Sequence, residues 1–206
     1  MARIKLTKTE LKAQTDALKR FCRFLPMLQL KKQQLQGEIA QIAAKAEAVA
    51  AAERKRRDEL SSWIGLFATS PRLLEGLVEV KSVKTGVSNI AGVTIPVFDS
   101  IETQTAEIDA WDTPAWIDDA AVSIRDILSL KAEREVFEEQ RRLVTQELQL
   151  TSQRVNLFEK VKIPECKEAI RLIKIAIGDE QTAAVTRGKI AKSRTPESTT
   201  DGGDAQ

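Results

Sequence analysis

Apolar side chains recur every seven residues along the first part of the chain. Written from Leu11, the repeat has one series of seam positions, a, at Leu11, Leu18, Leu25, Lys32, Ile39 and Ala46. The second series, d, comprises Gln14, Phe21, Leu28, Leu35, Ile42 and Val49. Ten of these twelve positions are apolar, and a sustained period of 3.5 residues is typical of a coiled-coil seam. The pattern predicts one long helix that continues to about Leu60.

The start of this helix has a capping signal, and a proline lies inside it. The stretch 7-TKTE-10 fits the capping-box pattern, in which Thr7 accepts a hydrogen bond from the Glu10 amide. Pro26 removes a backbone donor within the periodic run, so we expect a kink there. Pro164 interrupts the second helical region, and in an antiparallel hairpin we expect the two prolines to lie at the same height.

A second long helix is predicted near the carboxyl end. It begins near Pro114, a favourable first-turn residue, with Thr113 as a possible N-cap. Apolar residues again recur at a spacing of seven, at Val136, Leu143, Leu150 and Leu157. After Pro164, a last helical stretch runs from about residue 165 to 192. The two long helices predict an antiparallel coiled-coil hairpin in a chain that is predominantly α-helical.

The segment between the helices has a different texture. The stretch 83-VKTGVSNIAGVTIPVF-98 is rich in β-branched residues and is punctuated by glycine, asparagine and proline. It predicts a short β-hairpin in a small middle head, together with a short helix after Pro71. The predicted organisation is a first coiled-coil helix, a head, a second coiled-coil helix interrupted near Pro164 and a disordered tail, over residues 1–60, 61–112, 113–192 and 193–206.

Composition disfavours an enzyme. The chain has no histidine, and it lacks the Gly-rich loop with Lys-Ser/Thr that binds nucleotide phosphates, so we expect neither catalysis nor a bound cofactor or metal. Cys22 and Cys166 have no metal-ligand spacing and are expected to be reduced. Residues 1–60 carry 14 basic and 7 acidic side chains, whereas residues 61–120 carry 3 and 9. This uneven charge indicates different partners along the chain.

No apolar run approaches the roughly 20 residues that a membrane-spanning helix needs. The first residues, MARIKLTKTELK, lack the apolar stretch of a secretory signal. We therefore expect a cytoplasmic protein that does not insert into a membrane.

Three segments resemble the D subunit of the V/A-type rotary ATPases. The stretch 154-RVNLFEKVKIP-164 is similar to that family's Arg-Val-Asn and Ile-Pro signature, 6-LTKTEL-11 to its opening, and 91-AGVTIPVF-98 to a motif in its middle domain. Their order and spacing match over nearly the whole chain. The chain departs from the family in its first helix, where Pro26 and 31-KKQQ-34 replace a glycine and a Lys-x-Lys-Arg-Asp cluster.

The resemblance implies a noncatalytic central rotor shaft that couples ATP hydrolysis or synthesis to ion transport. Its implied partners are the catalytic A and noncatalytic B subunits of the head, the small F subunit of the rotor and the socket subunit above the membrane rotor ring. The complex would be membrane-bound, with this chain peripheral on the cytoplasmic side. The candidate partner-binding residues are Lys5, Lys8, Lys12, Arg154, Asn156, Lys189 and Lys192.

Two other functions fit parts of the pattern. A coiled-coil scaffold or tether that does not rotate would have the same seam. The basic run 54-RKRR-57 is compatible with nucleic-acid binding, although a solvated helix face explains it as well, and the acidic middle argues against nucleic acid as a partner. Trp63, Trp111 and Trp116 are expected to pack within the small head, the alternative being an exposed binding anchor.

Overall fold

A computed structural model of the chain describes residues 5–62, 65, 74, 76–106 and 113–194, and the structural statements below concern these residues. The elements in chain order are helix α1 (Lys8–Ser61), strand β1 (Val78–Ile90), strand β2 (Val93–Thr105), helix α2 (Ile117–Leu157), a π-helical turn (Phe158–Lys162) and helix α3 (Ile163–Arg194). The described part is 77% helical, and the two strands form an antiparallel sheet. The predicted fold class is confirmed.

The chain forms two compact units. The terminal unit combines Met1–Met27 with Arg154–Gln206, and the central unit is Leu28–Gln153. The helix α3 ends at Arg194, so the first two residues of the predicted disordered tail are helical. The rest of that tail lies outside the described residues, as do Trp63, Trp111 and Pro71, where the short helix was predicted to begin.

The seam predicted from the seven-residue repeat faces inward. In α1 every predicted a and d position is buried or half-buried. Leu35 and Ile42 are buried in the central unit, where they form a cluster with Val144 of α2. Lys31 pairs with Glu147 at 2.7 Å.

The same two helices are joined farther along by a second ion pair. Arg56 of α1 lies 3.2 Å from Asp126 of α2. The residue number of the partner on α2 therefore decreases, from Glu147 to Asp126, as the residue number on α1 increases from Lys31 to Arg56. In the central unit α1 and α2 run antiparallel.

The amino end of α1 is capped through Thr7. The Glu10 amide donates to Thr7 Oγ1 at 3.2 Å, as the capping pattern predicts. The Glu10 carboxylate accepts a hydrogen bond from Gln14 Nε2 at 2.8 Å. The Thr7 half of the predicted capping box is therefore present.

The β-hairpin is longer than predicted. Each strand has 13 residues, whereas strands are usually about five or six. The additional strand residues include polar ones such as Ser82 and Lys84. They fit in β1 because every residue of this strand between Val78 and Ile90 is exposed to solvent. A polar, solvated strand lacks the apolar signal from which its length could be predicted.

A tight turn joins the strands, and the tip of the hairpin packs on the helices. Ala91 and Gly92 both have positive φ, 50° and 84°, as a two-residue hairpin turn of type I′ requires. Ile95 is 3% exposed and joins the Leu35 cluster between α1 and α2. Gln140 Nε2 of α2 donates to the Pro96 carbonyl at 2.6 Å. The sequence did not predict this docking.

The base of the hairpin packs separately. Leu77 and Ile117 are buried together, and Trp116 is half-buried against them. The Ala106 amide donates to the Leu77 carbonyl at 3.0 Å. Trp116 thus packs within the protein, as expected, and the helix α2 begins at Ile117, near Pro114 as predicted.

The helical chain changes its hydrogen-bond spacing just before Pro164. The Ile163 amide donates to the Phe158 carbonyl five residues earlier, which defines a π-helical turn. Pro164 has no amide to donate, and in a regular helix its ring would clash with the carbonyl of residue 160. The wider turn accommodates the proline without ending the helix. The helix α1 is also continuous through Pro26, and the kink predicted there stays a prediction.

That the two prolines lie at the same height stays a prediction, since no described contact joins Pro26 to Pro164. In the terminal unit the rings of Phe21 and Phe158 contact each other, with centroids 5.0 Å apart. Pro26 follows Phe21 and Pro164 follows Phe158, so in an antiparallel pair they lie on opposite sides of this contact.

Two glycines provide a test of the backbone argument. We expect Gly92→Ala to lower the free energy of unfolding by about 1 kcal/mol, because a left-handed conformation is unfavourable for a residue with a Cβ. We expect Gly37→Ala, within α1, to raise it by about 0.5–1 kcal/mol. A Cβ at either position meets no neighbouring atom within 4 Å, so the difference in stability between the two variants reflects backbone conformation and not side-chain packing. Urea unfolding followed by circular dichroism measures both, and effects of the same sign would contradict the backbone argument.

Candidate functional site

The seven predicted partner-binding residues are exposed and belong to the terminal unit. Lys5 precedes α1, and Lys8 and Lys12 lie in its first turns, whereas Lys189 and Lys192 lie near the end of α3. Arg154 and Asn156 are exposed on either side of buried Val155 at the end of α2. Among the described hydrogen bonds and ion pairs, none joins two of these seven residues. Their contact with a partner stays a prediction.

The last part of α3 is exposed to solvent. All residues from 179 to 194 are exposed, although this stretch is helical throughout. It includes the apolar side chains of Val185 and Ile190, which are 60% and 47% exposed. A helix of this length gains most of its stability from tertiary packing rather than from intrinsic propensity. An uncovered helix with apolar residues indicates a surface that a partner covers.

Additional apolar side chains are exposed elsewhere in the terminal unit. On α1 they include Phe24 and Met27, which are 47% and 61% exposed, and on α3 they include Leu172 and Ile175. Single exposed apolar residues are normal, whereas a concentration of them in one small unit indicates interaction surface. By contrast, the side of α3 facing inward carries the buried residues Cys166, Ala169 and Ile173.

The two cysteines differ in environment. Both are free thiols, with Cys22 exposed and Cys166 buried. Burial raises the pKa of the Cys166 thiol above its ordinary value, and the neighbouring Glu165 carboxylate raises it further. Because the thiolate is the reactive form, Cys166 is a structural residue of the core rather than a nucleophile.

Alkylation should therefore separate the two thiols. We expect iodoacetamide to modify Cys22 more than about tenfold faster than Cys166 in the folded chain, because burial lowers the thiolate population and blocks access. Mass spectrometry of a time course measures both rates. In urea the two rates should converge, and a Cys22→Ser chain should retain only the slow phase. Equal rates in the folded chain would show that Cys166 is accessible.

The basic run 54-RKRR-57 is largely neutralised within the central unit. Arg54 is paired with Glu47, and Arg56 pairs with both Glu59 and Asp126. Pairing of this kind favours the structural interpretation of the run, since paired arginines are less available to phosphate groups.

One buried charge was missed in the sequence. Glu53 is 1% exposed, and its Oε2 accepts a hydrogen bond from Arg134 Nη1 of α2 at 2.8 Å. Its Oε1 lies 2.6 Å from Arg57 Nη2 on α1, although not in hydrogen-bond orientation. One further heptad after Ala46 would have placed Glu53 at an a position of the seam. The repeat therefore contained the signal.

The described residues contain no cluster of acidic, cysteine or histidine side chains able to hold a metal ion. No described helix has the length and apolar character needed to cross a membrane. A cleft of ≈ 590 Å³ in the central unit is lined by both basic and acidic side chains, including Lys55, Arg56, Glu59 and Asp126. Walls of mixed charge give this cleft no preference for an anionic ligand such as a nucleotide.

Comparison with known proteins gives matches over nearly the full chain. Residues 10–193 match the family model of the ATP synthase D subunit. The V-type ATP synthase D subunit of Borreliella burgdorferi is 46% identical over 193 residues, which cover 94% of this chain and 95% of that protein. The proteins of the same name from Chlamydia muridarum and Chlamydia felis are each 33% identical over 196 residues, covering 94% of this chain and 96% and 94% of theirs.

Proposed function

The chain belongs to the ATP synthase D-subunit family, and on this basis we propose that it is the noncatalytic central shaft of a V-type rotary ATPase. In this role it couples ATP hydrolysis or synthesis in the catalytic head to ion transport across the membrane. The single structural observation that carries the proposal is the solvent-exposed helix at residues 179–194, with its exposed apolar side chains Val185 and Ile190. A shaft whose end is enclosed by a surrounding head requires such a surface.

The terminal unit is proposed to lie inside the ring of catalytic A and noncatalytic B subunits. Exposed lysines at both chain ends, such as Lys8 and Lys192, would make solvent-screened contacts that are individually weak. Weak contacts suit a rotating bearing, because no single pair holds one angle strongly. The exposed apolar side chains, such as Phe24 and Val185, would be covered by the head without a fixed polar partner. Arg154 and Asn156 are proposed to contact a neighbouring subunit.

The central unit is proposed to meet the other rotor subunits. The small F subunit of the rotor and the socket subunit above the membrane ring would bind here, on the membrane side of the head. This unit is held by an apolar seam and by ion pairs between α1 and α2, so it can resist twisting. The chain would be cytoplasmic and peripheral to the membrane.

The coupling mechanism is mechanical. A two-helix shaft is asymmetric around its axis, and it presents a different face to each successive catalytic site. The state of each site then depends on the shaft angle, so that sites that do not touch each other are coupled through the shaft. No nucleotide needs to bind this chain.

Affinity purification from native membranes tests the proposal. We expect a tagged chain to retain the catalytic and noncatalytic head subunits, identified by mass. A Val185→Glu/Ile190→Glu chain should lose them, since both apolar side chains would be replaced at the proposed head surface. Val80→Glu/Val87→Glu is the matched control, because these valines are similarly exposed but lie on β1. If the unaltered tagged chain were recovered without any ATPase subunit, the proposed shaft function would be refuted. The alternative would then be that the chain is a scaffold in another complex.

A further inference from the structure

The buried carboxylate of Glu53 is placed where a coiled coil normally has an apolar side chain. It follows Ala46 by seven residues and continues the a series of the seam. It is enclosed by two arginines, Arg134 across the helix pair and Arg57 on its own helix. Arg134 is further linked to Glu138, whose Oε1 lies 3.7 Å from Arg134 Nε. The group is an ion network that connects α1 and α2, in which the Glu53 carboxylate is buried and its partners are partly exposed.

This network is a poor source of stability. Removing the Glu53 carboxylate from water, and the Arg134 guanidinium in part, is unfavourable, and the mutual attraction repays the loss only when all polar atoms are satisfied. Here Glu53 Oε1 and Arg134 Nε are buried without a hydrogen-bond partner. Apolar residues of similar size in such positions are often equally stable or more stable. Stability therefore does not explain why a charge lies at this position.

The neighbouring seam gives little control over axial position. The preceding seam residues on α1 are Ala46 and Val49, and small buried residues such as Ala132 occur on α2. Contacts between small apolar side chains are non-directional, so sliding by one turn replaces one such contact with another. The ion network is different, because sliding separates the buried Glu53 carboxylate from Arg134 and leaves it only Arg57 of its own helix, which is unfavourable. A polar residue at a single a position is known to specify register in coiled coils at a cost in stability.

We propose that the Glu53–Arg134 pair is a register lock, which fixes the axial position of α1 against α2 in the central unit. This inference rests on the proposed function for its biological meaning, since a shaft whose helices slide under load would transmit only part of each rotational step. Glu53 and Arg134 are positioning residues in this account. They set the geometry of the shaft and touch no nucleotide.

The register can be measured on the full chain alone. Spin labels at exposed Lys55 of α1 and Lys131 of α2 should give one narrow distance distribution in the otherwise unchanged chain. In a Glu53→Met/Arg134→Met chain, we expect the distribution to broaden or to gain a component shifted by about one helical turn, roughly 5.4 Å. The urea midpoint should stay the same or rise. A distribution that stays narrow and unshifted would overturn the register lock, whatever the function of the chain.

The matched control removes an ion pair of the same residue types on the surface of α1. Glu47 and Arg54 are paired there, with side chains 72% and 63% exposed. Glu47→Met/Arg54→Met should leave the distance distribution unchanged. Arg134→Lys provides a second variant, which keeps the charge but not the planar fork of donors, and it should give an intermediate width. A broad distribution in the surface control would show that the spread comes from charge removal in general.

The assembled ATPase then tests the consequence for coupling. With the Glu53→Met/Arg134→Met chain, we expect assembly and ATP hydrolysis to persist while ion transport per ATP is lost in part or completely. Full coupling with a demonstrably mobile register would overturn the link between register and torque. Failure of the unaltered chain to join an ATPase would instead contradict the proposed function, and the distance measurement would stand independently.

Discussion

Leu35→Ala is expected to lower the free energy of unfolding by about 2–5 kcal/mol. The Leu35 side chain has no solvent exposure and lies at the junction of three elements, where it packs with Ile95 of the hairpin and Val144 of α2. Truncation removes apolar contacts and leaves a cavity that two long helices cannot close without changing their spacing. Because the hairpin tip rests on the same cluster, we also expect faster amide exchange around Ile95.

Leu30→Ala is the control for this substitution. It makes the same chemical change five residues earlier on the same helix, but the Leu30 side chain is 56% exposed. We expect an effect within about 0.5 kcal/mol, as for most surface substitutions. Urea unfolding compares the two variants. Similar losses for both would show that Leu35 is not a core residue.

The second large effect concerns the whole complex. Reconstituted without this chain, the ATPase is expected to lose coupled ion transport to the background level, while its catalytic subunits keep their nucleotide sites. The reason is that the shaft is the proposed mechanical link, and the chain has no phosphate-binding loop of its own. Ion flux into vesicles and ATP consumption, measured in parallel, give the coupling directly.

Addition of the purified chain should restore transport in that experiment. The Gly37→Ala chain should restore it equally, since this substitution alters only an exposed helical backbone position. Transport that persists without the chain would assign the coupling role to another subunit. Isothermal calorimetry should show no tight ATP binding by the chain itself.

The helical seam could be predicted because its physical cause is local and repetitive. Burial of one stripe on a helix imposes a period of 3.5 residues, and the series from Leu11 to Val49 has that period even where Lys32 and Gln14 are polar. The structure buries or half-buries all of these positions. The Thr7 cap was also predictable, because capping depends on residues within one turn.

Features that depend on distant contacts could not be predicted in the same way. The docking of Ile95 and the hydrogen bond from Gln140 to Pro96 join segments far apart in sequence. The height of Pro26 relative to Pro164 depends on a register that only cross-helix contacts such as Phe21 with Phe158 reveal. The π-helical turn accommodates Pro164. The sequence predicted an interruption at this proline, but not that it would take the form of a π-helical turn.

The candidate site shows a similar division. The sequence placed the lysines of both chain ends on exposed surface, and the structure has them there. It did not single out the exposed apolar residues Val185 and Ile190, because an apolar residue in a helical pattern is ordinarily assigned to the core. Glu53 was missed for the opposite reason, since a glutamate beside a basic run is ordinarily assigned to solvent.

Rotation of the chain inside the working complex is the direct test of the proposed shaft function. A bead attached through Val87→Cys in a Cys22→Ser chain would use an exposed hairpin position and leave buried Cys166 in place. With the catalytic head fixed to a surface, we expect ATP-driven rotation of the bead in one direction, in steps that follow successive catalytic events. A bead that stays at one angle while the complex hydrolyses ATP would rule out the proposed rotation and identify the chain as a static scaffold.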